Sequence, residues 1–92
     1  MTNVTSRYEL IRILRVRFPK MWTKESELYD GRANAIWTGE GSYIQDEPLF
    51  NDMLDGGNYT MGVRNELVDA LDQHGWFAEF ANSGTVFIYP NE

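Results

Sequence analysis

The stretch from Thr60 to Pro90 most constrains the fold, because an amphipathic helix stopped by Gly75 runs there directly into a β-hairpin. Val63, Leu67, Ala70, Leu71 and His74 recur on one helical face with Val68 at its flank. Arg64, Glu66, Asp69, Asp72 and Gln73 fall on the other face. Asn58 or Thr60 is the expected cap, giving a helix over 60–74. Gly75 stands where a left-handed residue ends a helix, and Trp76 follows as the apolar residue that packs back on the last turn. Trp76, Ala78 and Phe80 then alternate with Phe77, Glu79 and Ala81. After the turn Asn82-Ser83-Gly84, Thr85, Phe87 and Tyr89 alternate with Val86 and Ile88. Pro90 cannot donate to a ladder and ends the strand.

A second helix is predicted upstream. Ser6-Arg7-Tyr8-Glu9 matches a capping box, in which the serine hydroxyl takes the amide three residues on. Leu10, Ile13, Leu14 and Phe18 form its apolar stripe, and Pro19 terminates it by excluding Phe18 from the α region. Residues 22–30 offer no full apolar period and admit one short helix. Residues 33–38 alternate, Gly39-Glu40-Gly41 supplies a turn and Ser42-Tyr43-Ile44 resumes β character, which predicts a first hairpin. Residues 45–58 read as a long loop pinned to the core by Leu49, Phe50, Met53 and Leu54. The fold expected is a single α+β domain over residues 1–92, in the order α-β-β-loop-α-β-β. Two helices would cover one face of an antiparallel sheet built from two hairpins, leaving an aromatic face opposite.

Charge divides the chain unevenly. Residues 1–24 carry Arg7, Arg12, Arg15, Arg17, Lys20 and Lys24 against Glu9 alone, a net of +5. The remainder is −11, for −6 in all. No cysteine is present, which excludes disulfides, thiolate metal sites and thiol nucleophiles. No apolar run reaches the roughly 20 residues of a membrane span, and the N-terminal segment lacks a signal-peptide core. A cytoplasmic location without membrane contact is expected.

The residues that could carry chemistry are few. His74 is the single histidine, and Ala70 and Ala78 at helical spacing from it offer no ligand. Asp46, Glu47, Asp52, Asp55 and Asn58 lack the spacing of a calcium loop and read as turn chemistry. No nucleophile and base pair suggests itself, so no enzymatic activity and no cofactor are expected. The helix-then-hairpin ending has the order of a winged-helix domain, but the helix that would enter DNA is acidic and phosphates would repel it. Nucleic acid is thus an unfavoured partner, reachable only through the basic first helix.

The leading expectation is a protein-binding or self-associating module, a homodimer included. The alternative is an acidic mimic of nucleic acid, or an inhibitor of a basic partner. Candidate contact residues are Arg7, Arg12 and Arg15 on the first helix, Trp37 and Tyr43 on the first hairpin, and Asp69 and Asp72 on the second helix. The initiator Met1 and an end just after the last strand give the look of a small complete reading frame, of the kind common among accessory proteins of phages and mobile elements.

Overall fold

Ser6 caps the first helix as its sequence predicts: its hydroxyl accepts from the Glu9 N–H at 3.2 Å. The computed structural model describes residues 5–31 and 33–91. Helix α1 runs Arg7–Arg17, buries Leu10 and Leu14, and closes with Phe18 N–H donating to the Leu14 carbonyl. After a turn at Pro19 come β1 (Lys24–Glu25), the one-turn helix α2 (Glu27–Asp30) and β2 (Ile36–Gly39). Two small hairpins follow, β3 (Tyr43–Ile44) with β4 (Glu47–Pro48), and β5 (Tyr59–Thr60) with β6 (Val63–Arg64). Helix α3 (Asn65–Gln73) leads through Gly75, at φ +78°, into β7 (Trp76–Asn82) and β8 (Thr85–Pro90).

The main sheet is antiparallel with strand order β1-β2-β8-β7. Register places Ile36, Thr38, Val86, Ile88, Trp76, Ala78 and Phe80 on one face. There Ile36, Val86, Ile88 and Trp76 join Leu10, Leu14 and Phe18 of the α1 segment and Leu67, Ala70 and Leu71 of α3 in one core. The expected α+β class and the packing of both main helices on a common face are therefore present.

The expected two-hairpin sheet is not. β2 pairs with β1 and β8, and β3 turns away to pair with β4, so residues 33–44 form no hairpin. Gly39 at φ +151° and Gly41 at φ +93° redirect the chain. The Glu40 carbonyl then receives the Trp22 indole N–H at 2.9 Å. Residues 22–30, read as one short helix, hold a strand as well: Ser26 is fully buried, and its backbone and hydroxyl bond Ala35.

Loop 45–58 also departs from expectation. Leu49 and Phe50 are buried as anchors, whereas Met53 is 88% exposed and Leu54 41%. Arg64 N–H donates to the Leu49 carbonyl and Asn51 N–H to the Gly62 carbonyl, stitching this stretch to β6.

Helix α3 starts five residues later than predicted, because Met61 (φ +49°) and Gly62 (φ +86°) form the left-handed turn between β5 and β6. Thr60 does not cap it; its hydroxyl donates to the Asn65 side chain. Arg64, expected on the outer face, is largely buried over Tyr59 and pairs with Glu66 at 2.9 Å and with Glu47.

Arg7 fastens α1 to the β1–α2 segment by pairing with Glu27 at 2.7 Å and Glu25 at 3.2 Å. Its hydrogen bond, with the backbone N–H groups of Glu27 and Asn34, holds the Glu27 carboxyl down from 4.5 to about 2. A carboxyl depressed in the folded state adds stability that is complete above its unfolded value and lost as pH falls toward the folded one. Replacing Glu27 by Gln is therefore expected to lower the melting temperature slightly at pH 7 and to flatten its decline between pH 4.5 and 2. Thermal melts across that range check this.

Candidate functional site

The sheet face opposite the helices is aromatic, as expected, but it is not open. Tyr29, delivered by α2, lies edge-on against Trp37 at 5.0 Å and Phe87 at 5.2 Å. Trp22 meets Trp37 at 5.5 Å, and Lys24 sits over both indoles. Phe87 is 1% exposed. These rings satisfy one another, and the short helix covers the centre of the face that the sequence left uncovered.

An open concavity lies elsewhere, beside β7. A cleft of about 750 Å³ runs between α3, strand β7 and the loop 52–61. Val63, Val68, Leu71, Trp76, Ala78 and Phe80 give it an apolar floor and wall. Met53, Leu54 and Met61 stand over it from the loop, with Met61 78% exposed. That volume lies in the range of ligand-binding clefts, and flexible methionines suit surfaces that accommodate varied apolar partners.

Its rim carries charge of one sign. Asp52 and Asp55 come from the loop, Asp72 from α3 and Glu79 from β7, and no Lys, Arg or His is among the described residues lining it. The loop is held in place locally: Asp55 accepts from the Met61 N–H at 2.9 Å, and the Asn51 side chain accepts from the Met53 N–H at 3.1 Å. Gly62 sits where any Cβ would meet Phe80 at 2.8 Å and the Asn51 carbonyl at 3.0 Å, so the loop packs directly against the strand.

The residues singled out from sequence do not converge. Arg12 and Arg15 are exposed on α1, whereas Arg7 is committed to Glu25 and Glu27. Trp37 belongs to the aromatic face, Tyr43 is exposed on the β3–β4 hairpin, and Asp69 is exposed on α3 outside the cleft. Asp72 alone of that set lines the cleft. Glu47 and Glu66 stand apart from the acidic rim and pair with Arg64, which raises the arginine's affinity for its proton and lowers the Glu66 carboxyl. In the sequence Met53 and Leu54 read as core anchors of the 45–58 loop, and neither Met61 nor Glu79 stands out as a contact residue. The one trace of them in sequence is a set of apolar side chains within an acidic, glycine-rich stretch.

His74 accounts for itself structurally, with Nδ1 2.9 Å from the Thr5 hydroxyl. Among the described residues no three His, Asp or Glu side chains group so as to hold a metal ion, and no helix is long and apolar enough to cross a membrane. Compared with known proteins, the chain matches no family model, no curated protein and no solved structure. The site is thus defined by its own chemistry: an apolar trough with a wholly anionic margin.

Proposed function

We propose that this chain is a non-enzymatic protein-binding module that holds a basic, partly apolar segment of a partner in the cleft beside β7. The observation that carries this reading is the combination of exposed Met53, Leu54 and Met61 with the four carboxylates Asp52, Asp55, Asp72 and Glu79. Apolar contact supplies non-directional affinity, and the rim selects cationic side chains and repels acidic ones. The nucleic-acid mimic considered from sequence would require a basic partner too, but the methionine-lined trough favours a peptide with apolar side chains over a surface that reads phosphate charge alone. DNA binding through α3 has less support, since the exposed Asp69 and Asp72 would repel the phosphates.

An eight-residue peptide alternating Arg and Val tests the reading by calorimetric titration. Saturable one-to-one binding is expected. It should weaken roughly tenfold as salt rises from about 50 to 500 mM, because rim charges are screened, and fall further with Asp72→Lys. The same peptide with Glu replacing Arg should not bind. Equal binding of both peptides, or of neither, would remove the proposal.

A further inference from the structure

The cleft follows the open edge of a strand. Trp76, Phe77, Ala78, Glu79 and Phe80 all line it, although successive residues of a strand point to opposite faces. A cavity touches five consecutive residues when it runs along the strand's side, and among the described residues β7 is the outermost strand of the sheet, with β8 its one neighbour.

The phase of the ladder shows which backbone groups face that space. Asn91 N–H donates to the Gly75 carbonyl at 2.7 Å, flanking the Trp76–Pro90 pair, so this is a pair without mutual hydrogen bonds. Alternation along the ladder then makes Phe77–Tyr89 and Glu79–Phe87 the bonded pairs. Trp76, Ala78 and Phe80 consequently turn their N–H and C=O groups away from β8, toward the cleft. None of the described residues bonds those outward groups. The same phase explains why Pro90, without an N–H, is tolerated opposite Trp76.

Resting on the proposed function, we infer that the partner segment binds in extended form as a fifth strand antiparallel or parallel to β7, bonded to Trp76, Ala78 and Phe80. Such a strand lies about 4.8 Å from β7. Its side chains alternate between the trough walled by Val68, Leu71 and Met61, and the outer face beside Glu79. An alternating apolar and basic sequence satisfies both sides. Main-chain bonds supply affinity in this mode, and side-chain pockets supply selectivity. A second copy of this chain is the poorer occupant, because pairing two β7 edges brings two sets of Glu79 and Asp72 carboxylates together.

The Arg-Val octapeptide and a version N-methylated at every residue separate this mode from side-chain capture alone. N-methylation leaves the side chains and removes every peptide donor. At least a tenfold loss of affinity is expected, together with slowed amide hydrogen exchange at Trp76, Ala78 and Phe80 when the unmodified peptide is bound. Equal affinity of the two peptides, or unchanged exchange at those three amides in the saturated complex, would overturn strand addition while leaving the cleft as a binding site. If the unmodified peptide does not bind at all, both the added strand and the proposed function are lost.

Discussion

Gly39→Ala is expected to destabilise the fold by about 3–5 kcal/mol, from a region of φ, ψ space nearly closed to side chains and from overpacking. Gly39 ends β2 at φ +151° against Thr85. A Cβ there would fall inside contact distance of the Gly84 carbonyl oxygen and 3.2 Å from the Thr85 Cα, both backbone atoms that cannot swing aside. The Glu40 N–H bond to that Gly84 carbonyl, at 3.1 Å, would be displaced with it. Since whole domains are stable by only about 5–15 kcal/mol, the loss should appear as a large drop in the urea midpoint. A midpoint within experimental scatter of the unsubstituted chain would show that β2 does not approach the β7–β8 turn this closely.

The second large effect is expected at Leu14. Its side chain is fully buried where α1 meets α3 and the sheet, so Leu14→Ala should cost about 2–5 kcal/mol through lost burial and the cavity left behind. Val16, two residues on, is 81% exposed, and Val16→Ala should stay within about 0.5 kcal/mol. Urea denaturation of the pair checks the helix's orientation as well as its burial. Similar costs for both would mean that α1 is rotated from the position described.

The parts of the fold legible in the sequence are those set by neighbours in the chain. The Ser6 cap and Pro19 bracket α1 within a residue or two, and Gly75 with the Asn82–Gly84 turn places the end of α3 and both long strands. The misread parts depend on distant partners. Residues 36–39 find theirs at 24–25 and 85–88, whereas local alternation favoured the nearer 42–44. Strands of two residues, such as β3 to β6, are too short to show a period. The start of α3 is not legible because Met61 adopts a positive φ that its residue type does not announce.

The candidate site was legible only in fragments. Asp52, Asp55 and Asp72 were recognisable as acids, and Met53 and Leu54 as apolar residues in a polar loop. Their role depends on the loop folding back over β7, which brings three separated segments around one trough. By residue type Met53 and Leu54 read as core anchors, because burial is the usual fate of such side chains. Their exposure beside the cleft is what turns a loop anchor into a candidate contact surface.

The cleft itself is tested most directly by nuclear magnetic resonance of the isotope-labelled chain titrated with the Arg-Val octapeptide. Chemical-shift changes are expected to concentrate at residues 52–61, 68–72 and 76–80. Changes centred on α1 or on the Trp22–Trp37–Tyr29 face, with the cleft residues unmoved, would contradict the account.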